Sequence, residues 1–576
     1  MRRLVLLLLA ALPLALLVDV GTAAPASAHA TLVTTTPAES ARLETAPTEV
    51  TLEFDEGVSL GAGYARVLDS VGERVDTGAA TASDGTITVP LRADLPDASY
   101  VVTYRVVSAD SHPISGAYAF VVGDGELVPT TGAEAGSDVD PVVGALLPVA
   151  RWLGFAGLAL GVGVPVFLLA CWSAGWRSRR VRTLTLSGLG AVAAGAVLSF
   201  LLQGPYAAAT GLADLVDPQL LATTAGSAFG LTLLARVVLA AGLAALTVVA
   251  FRAAAPSRGL VVAGVVLALG LVVTTAAVGH PVAGPLPGLA VVVTAVHVAA
   301  MTVWLGGLTA LLAGALRRGV PAGELATALP RYSRLAAGSV AALVVTGVVQ
   351  SVREVGSPAA LVSTTYGWVL VAKLALVLGL LAVAGVSRVW VQQQLGAPRT
   401  TRRRVVAHAF SAEDEDSAAR ERAGAAVADV APFRRSVLIE VGVAAVVLAL
   451  SAVLVGTPPA KAAVADPVDV TLPLQGATGA DGSVQLSVDP AQPGPNTLHV
   501  YLFDADGQLA QPQSLRVTLT EAEQQIGPLD VELQPAGPGH SVGDAQLPTA
   551  GSWTVTVTVR LDEFTALTAS TTFPVR

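Results

Sequence analysis

Eight long apolar stretches constrain the fold of this 576-residue chain more than any other feature of its sequence. Each is long enough to cross a bilayer, which takes about 20 apolar residues per helix. Only 13% of the residues are charged, whereas a soluble globular chain carries about 25%. The sequence therefore predicts a bundle of eight transmembrane helices within residues 145–456, surrounded by the lipid bilayer. The stretches lie near 145–173, 184–206, 225–251, 259–279, 287–316, 333–355, 366–390 and 436–456.

Arginine is concentrated in alternate loops between these stretches. The loops after the second and fourth stretches contain neither lysine nor arginine, and the sixth has only Arg353 at its edge. Positive loops favour the cytoplasmic side of a membrane, so we expect the odd-numbered loops inside and both chain ends outside the cell membrane. The arginines of the odd-numbered loops include Arg177, Arg179, Arg180, Arg182, Arg252, Arg258, Arg317, Arg318, Arg331, Arg334, Arg399, Arg402, Arg403, Arg404, Arg434 and Arg435.

The first residues have the pattern of a secretory signal peptide. Arg2 and Arg3 precede an apolar run over 4–18, and 26–28 reads Ala-Ser-Ala, which matches the small-x-small cleavage rule. We expect cleavage after residue 28, which leaves His29 as the first residue of the mature chain. An uncleaved anchor is the alternative. Either way, the export signal places the segment that follows it outside, in agreement with the arginine pattern.

Two segments outside the bundle have the pattern of β-domains. Residues 29–125 and 467–576 contain alternating, β-branched and aromatic runs, separated by Gly, Pro and Asp turn signals. Several short strands with regular turns are typical of an antiparallel sandwich or barrel. We therefore predict an N-terminal all-β sandwich or barrel and a C-terminal β-sandwich, joined to the bundle by linkers over 126–144 and 457–466. The clearest runs are 50–54, 100–107, 117–122, 498–503 and 553–559.

Composition and motifs exclude several classes of protein. The net charge of −9 argues against a nucleic-acid partner, because phosphate binding needs basic patches. Cys171 is the one cysteine, so the chain forms no internal disulfide. No P-loop motif is present in the sequence, which argues against direct coupling to ATP.

The first residue after the expected cleavage site offers two nitrogen ligands at once. The α-amine of His29 deprotonates far more readily than a lysine amine, and its imidazole can chelate the same metal. Asp110 and His112 are two residues apart, a spacing that puts both side chains on one face of an extended strand. The three residues together supply N,N,N,O donors, a set that suits Cu(II). They form the predicted main copper site, a histidine brace. The alternative is that Asp110 and His112 are ordinary polar residues of a loop.

The segments around these residues resemble the copper-resistance family CopC. The resemblance implies a cupredoxin-like Greek-key domain that binds Cu(II) through His29, Asp110 and His112. The methionine-rich Cu(I) site of some members has no counterpart, because Met301 is the one methionine of the expected mature chain and lies in the bundle. The matching segments are 29–32, 36–38, 52–54 and 110–116.

The apolar part of the chain resembles CopD, the membrane partner of that family. Ionisable residues inside a bilayer are costly and are functional hypotheses by default. His297 and Met301 share a helix face because they are four residues apart, and His280 lies at the expected outer end of the fourth stretch. These three residues are the predicted copper path through the membrane. The alternative is that His297 bonds a neighbouring helix and Met301 only packs. The matching segments are 279–281, 297–308, 331–335, 366–368 with Lys373, 434–436 and 456–459.

The C-terminal segment contains His499 and His540, far apart in the sequence. Neither has a second ligand at metal spacing, so we expect no metal site there. The segment resembles, more weakly, small periplasmic β-domains attached to such membrane proteins. It is the expected contact region for an extracytoplasmic copper chaperone or a cuproenzyme.

Together these features predict a copper-transport protein rather than an enzyme. Both resemblances imply that Cu(II) is captured outside and copper is transferred across the membrane, most simply as copper import and homeostasis. An oxidoreductase that uses the brace copper or a haem is the first alternative. Against it, Asp110 would occupy the position that oxygen needs, and His280 and His297 lie at different depths. A copper buffer or sensor is the second alternative, but eight spans exceed what an anchor requires.

Overall fold

The computed structural model describes residues 30, 32–38, 41–54, 56–83, 85–109, 111–125, 139–283, 286–317, 319–356, 358, 360–395, 431–463, 468–476, 479–489, 491, 493–504, 508–522, 524–537, 539–549, 551–561 and 566–575. His29 and Asp110 lie outside these residues, as do the predicted signal peptide and the loop over 396–430. The chain divides into a helical unit, over 139–354 and 365–457, and a unit that contains the β-domains.

The N-terminal segment forms two four-stranded sheets. One has the strand order β1-β3-β6-β5 and the other the order β2-β8-β7-β4. Neighbouring strands are antiparallel, apart from the short parallel pair β2–β8. The strands are β1 Leu32–Thr36, β2 Arg42–Leu43, β3 Glu49–Phe54, β4 Val58–Leu68, β5 Thr81–Ser83, β6 Thr86–Pro90, β7 Ala98–Ser108 and β8 Pro113–Val122.

The core of this domain follows from the alternation seen in its sequence. Val50, Leu52 and Phe54 on β3 are buried, while the residues between them are more exposed, as a half-buried strand requires. Tyr100 and Phe120 are fully buried and stack at a ring-centroid distance of 5.5 Å. The predicted N-terminal β-sandwich is confirmed.

The helical unit contains eight helices long and apolar enough to span a membrane, within the residues that the structure describes. The predicted eight-helix bundle is therefore confirmed. The helices in the described part of the chain, with two short ones outside this unit, are α1 Pro141–Leu158, α2 Val164–Ala170, α3 Arg179–Ala208, α4 Pro218–Gly226, α5 Ala228–Arg252, α6 Arg258–Ala276, α7 Pro287–Ala310, α8 Ala322–Val355, α9 Ala360–Ser363, α10 Thr365–Leu395, α11 Ala431–Leu454 and α12 Ala460–Ala463.

The largest difference from the predicted span boundaries is at the start of α8. The apolar pattern predicted a beginning near 333, but the helix begins at Ala322 and continues through Pro330. Its polar first turns are tied to the bundle, because the Trp172 indole donates a hydrogen bond to the Glu324 carboxylate at 2.7 Å. Apolar length alone detects the membrane-crossing part of a helix and misses such a polar extension.

Glycines allow α7 to approach the first span very closely. A Cβ added to Gly163 would lie 1.9 Å from the carbonyl oxygen of Thr302, and one added to Gly306 would lie 2.4 Å from the Ala159 carbonyl oxygen. Gly163 belongs to a π-helical turn over 159–163 that links α1 to α2. Small residues at helix crossings are a common way to pack helices in a membrane. This contact fixes α7 against the first span.

A second glycine fixes α7 against α8. A Cβ added to Gly307 would lie 2.0 Å from the ring of Tyr332. The Tyr332 hydroxyl donates a hydrogen bond to the Trp304 carbonyl at 2.6 Å. The helix that carries His297 and Met301 is therefore held on two sides.

The C-terminal segment forms a second β-sandwich, as predicted. Its sheets have the strand orders β14-β15-β11-β10-β9 and β13-β12-β16-β17. Trp553 is fully buried between them, and its indole donates to the Thr549 carbonyl at 3.0 Å. The strands are β9 Val468–Gly476, β10 Gly479–Asp489, β11 Gly494–Phe503, β12 Ser514–Glu521, β13 Ile526–Val531, β14 Leu533–Gly537, β15 His540–Leu547, β16 Gly551–Arg560 and β17 Ala566–Val575.

Candidate metal centre

His112 lies in the hairpin turn that joins β7 to β8. The two strands pair up to Val107 and Pro113. The His112 carbonyl closes the turn by accepting from the Ser108 amide at 3.0 Å and from its hydroxyl at 3.1 Å. His112 is only 5% exposed. The hairpin therefore holds this imidazole within the domain, at a position set by two strand ends.

The prediction of an extended strand for the Asp-x-His motif is wrong. Strand β7 ends at Ser108 and β8 begins at Pro113. Between them Ser111 has a φ of 75°, in the left-handed region that an extended strand excludes. His112 therefore does not lie on an extended strand. Asp110 itself lies outside the described residues.

His29 also lies outside the described residues, but the next residue, Ala30, is part of the described structure. Ala30 is 4% exposed and belongs to the hydrophobic core of the N-terminal domain. Val106, near the end of β7, is part of the same core. The start of the domain is thus anchored in the core that the β7–β8 hairpin borders.

His280 lies in a short turn just beyond the end of α6. The 3₁₀ turn His280–Val282 follows Gly279, whose φ of 74° reverses the chain. The turn packs against α7. Arg353 donates a hydrogen bond to the Ala283 carbonyl and lies 3.4 Å from the carboxylate of Glu354. His280 is 7% exposed, so this end of the bundle contains a buried histidine beside an ion pair.

His297 is joined to a neighbouring helix by a hydrogen bond that defines its tautomer. Its Nδ1 lies 2.8 Å from the Thr346 hydroxyl on α8. That hydroxyl donates its own proton to the Ala342 carbonyl at 2.7 Å. A hydroxyl that donates to this carbonyl accepts a proton from His297 Nδ1, and the lone pair then lies on Nε2. The hydrogen bond to a neighbouring helix, which sequence reasoning gave as the alternative to a metal role, is present.

Met301 lies one turn further along α7. It is 8% exposed and belongs to the core of the bundle with Trp304. Helical geometry places it on the same face as His297. A thioether and an imidazole on one face are chemically suited to copper.

Sequence reasoning missed a buried carboxylate in the last span. Glu440 on α11 is 2% exposed. It accepts a hydrogen bond at 2.7 Å from the hydroxyl of Ser387 on α10, and that hydroxyl also lies 2.9 Å from Ser436. The signal was available, because an acidic residue within an apolar stretch is rare.

Sequence reasoning was also wrong to treat His499 and His540 as isolated. His499 Nδ1 lies 3.1 Å from His540 Nε2. Neighbouring strands bring the two residues together, and no local spacing rule could have detected the pair. Within the described parts of the chain, no group of three or more His, Cys, Asp or Glu side chains forms a metal cluster.

Comparison with known proteins matches three family profiles in order along the chain. The CopC domain matches residues 32–123, copper resistance protein D matches 326–454, and FixH matches 475–571. The match to copper resistance protein D covers the last three spans, which is narrower than the resemblance in the sequence suggested.

Individual relatives extend this comparison. The copper transport protein CutJ of Bacillus subtilis is 26% identical over 502 residues, which cover 83% of each chain. Protein YobA of Escherichia coli is 36% identical over 98 residues, which cover 16% of this chain and 79% of YobA. The solved structure of CopC from Methylosinus trichosporium OB3b is 31% identical and covers 18% of this chain and 99% of that one, with a TM-score of 0.16.

The helices and the domain order define a multi-pass membrane protein of the copper-handling class. Within that class, the chain belongs to the CopC–CopD fusion family, with a FixH domain at its C-terminal end.

Proposed function

We propose that the protein captures Cu(II) outside the cell and transfers copper inward through its membrane domain. The observation that carries this proposal is the fusion of a CopC domain to eight candidate spans, one of which presents His297 Nε2 one turn from Met301. CutJ, a relative over most of the chain, is a copper transport protein. A binding domain and a membrane path in one chain fit capture followed by transfer.

The capture site consists of His29, Asp110 and His112. His112 supports this assignment because the hairpin turn fixes its backbone and buries its ring. Ala30 anchors the chain immediately after His29 in the same domain core. Cleavage of the signal peptide after residue 28 would free the His29 amine, so that one residue supplies two nitrogen ligands. Three nitrogens and one carboxylate oxygen favour Cu(II).

The transfer path runs from His280 to His297 and Met301. His280 lies on a turn that packs against α7, the helix that carries the other two residues. Thr346 orients the His297 ring with Nε2 as the acceptor nitrogen. Copper would therefore meet an imidazole at the end of the bundle, and then an imidazole and a thioether further along α7.

The arginine pattern sets the direction in which this path faces. Arginine-rich loops after the odd-numbered spans favour the cytoplasm, which places both β-domains and the His280 turn outside. The linker over 126–144 tethers the capture domain to the bundle in one chain. Tethering of this kind raises the effective concentration of donor near acceptor to roughly millimolar values. The C-terminal domain, on the same side, is the surface that would meet an extracytoplasmic copper chaperone or cuproenzyme.

Uptake of radiolabelled copper tests the proposed direction. Cells that express the protein should accumulate more copper than cells without it, at equal external Cu(II). A reporter fused after Arg576 should be active only outside the cytoplasm. Equal accumulation in both strains, or faster copper loss from the expressing strain, would contradict import.

A further inference from the structure

Two histidines of the C-terminal domain meet on the outer face of its five-stranded sheet. On β11 the alternate residues Leu498 and Val500 are fully buried in the core, so His499 and Tyr501 point to the opposite face. The antiparallel pairing of β11 with β15 places His540 directly opposite Tyr501. His499 is then the diagonal neighbour of His540, within reach of its ring.

The two imidazole rings lie edge to edge. Their planes differ by only 14° and their centroids are 5.4 Å apart, while His499 Nδ1 and His540 Nε2 are 3.1 Å apart. Rings stacked face to face would have closer centroids, so the two nitrogens point at each other in nearly one plane. One neutral ring donates an N–H to the lone pair of the other.

Tyr501 fixes one of the two rings. Its ring stacks on His540 with a centroid distance of 4.2 Å and an interplanar angle of 8°. His540 is 2% exposed, whereas His499 is only half-buried. The pair therefore combines one ligand of fixed orientation with one that solvent can reach.

We propose that His499 and His540 form a copper(I) site in which the metal replaces the proton shared by the two rings. Each imidazole then binds through the nitrogen that now faces its partner. The ring that donates at present takes its proton on its outer nitrogen, so both rings stay neutral and no electron is transferred. Imidazole is a good copper ligand.

The nitrogen separation is close to what such a site needs. With metal–nitrogen bonds of about 2.0 Å, a tetrahedral angle requires nitrogens about 3.3 Å apart and a linear arrangement about 4 Å apart. The observed 3.1 Å therefore has to widen by at most about 1 Å, and His499 is the more exposed of the two rings. Structural zinc takes four protein ligands. No third His, Cys, Asp or Glu forms a metal cluster with this pair in the described part of the chain, which favours copper(I), a closed-shell ion that accepts two ligands.

Copper(I) titration of the full-length protein in detergent tests the site. Copper(I) is supplied without oxygen from its complex with the coloured chelator bicinchoninate, and the copper retained per chain is counted. His499→Asn should retain one copper(I) fewer than the wild type. His408, in the loop over 396–430, belongs to no proposed site. His408→Asn should therefore retain the wild-type number. An unchanged count in His499→Asn would overturn the proposal.

Modification of the wild-type protein gives a test that needs no substitution. Diethyl pyrocarbonate reacts with accessible imidazoles, and mass spectrometry locates the product. Copper(I) should protect His499 strongly, and zinc(II) at the same concentration should not. Equal modification with and without copper(I) would overturn the site, and equal protection by zinc(II) would overturn its assignment to copper(I). Protection of His499 should persist in His112→Ala and His297→Ala, which disrupt the proposed transport path. Failure of the copper(I) site can therefore be distinguished from failure of the transport path.

Discussion

The two β-domains of this chain hold their histidines in different ways. In the N-terminal domain, His112 lies in a hairpin turn between two paired strands, beside the motif that marks it in the sequence. In the C-terminal domain, His499 and His540 meet only because β11 pairs with β15. A motif within one turn can be detected from sequence, whereas a pair created by strand register cannot. The two proposed sites also differ in their donors, which are nitrogens with a carboxylate in the N-terminal site and two facing imidazoles in the C-terminal site.

The largest expected effect is on Cu(II) affinity, which should depend on the N-terminal domain and not on the C-terminal one. His112→Ala should lower the Cu(II) affinity of the full-length protein at least about 100-fold, since even residues that only support a ligand contribute roughly 10–100-fold. His499→Ala should leave Cu(II) affinity unchanged. Competition with a Cu(II) chelator measures both, and an unchanged affinity in His112→Ala would reject the N-terminal site. Asp110→Ala should cause a smaller loss, because it removes an oxygen ligand rather than a nitrogen.

A change at the chain start should affect the N-terminal domain alone. One alanine inserted before His29 keeps its imidazole but moves the free amine to another residue, which breaks the chelate. Cu(II) affinity should fall by about tenfold or more, since even residues that only support a ligand contribute roughly 10–100-fold, while copper(I) retention at His499 and His540 stays the same. N-terminal sequencing confirms where each mature chain begins. A mature wild-type chain that begins at a residue other than His29 would contradict the role of the His29 amine as a ligand.

The domains also differ in their ion pairs. The Asp76 side chain is 1% exposed and accepts hydrogen bonds from the Arg74 guanidinium and the Val67 amide. Burial raises the pKa of Asp76, but these hydrogen bonds and the charge of Arg74 outweigh it, so the pKa lies below its usual value of 3.8. The Arg516–Asp530 pair of the C-terminal domain is largely exposed, and such pairs contribute little stability.

This contrast predicts the smallest effect. Asp76→Asn should lower the free energy of unfolding of the N-terminal domain by about 1–3 kcal/mol at neutral pH, and Asp530→Asn should cause no measurable change. Because the pKa of Asp76 is lowered by folding, its stabilisation is present above 3.8 and is lost as the pH falls through the lower folded value. Hydrogen exchange of β4 peptides at neutral pH measures the first effect. At pH 4 the Asp76 stabilisation should still be present. Equal pepsin resistance of Asp76→Asn and the wild type near pH 4 would contradict this pH dependence.

The sequence predicts the architecture better than it predicts the sites. The thickness of a bilayer sets a minimum apolar length, so all eight spans are detected, but the polar first turns of α8 are not. The motif around His112 is found, although its geometry is a turn rather than a strand. The partner of His297 is Thr346 on another helix. Such partners depend on how helices and strands pack, which no local pattern records.

Copper accumulation in cells that express His297→Ala tests the central claim most directly. Capture and transfer are assigned to different parts of the chain, so this variant should bind Cu(II) with wild-type affinity and yet fail to raise cellular copper. His408→Ala, at equal expression, should accumulate copper as the wild type does. Thr346→Val should give an intermediate loss, because it removes the partner that orients the His297 ring. Wild-type copper accumulation in His297→Ala would contradict transfer through this residue.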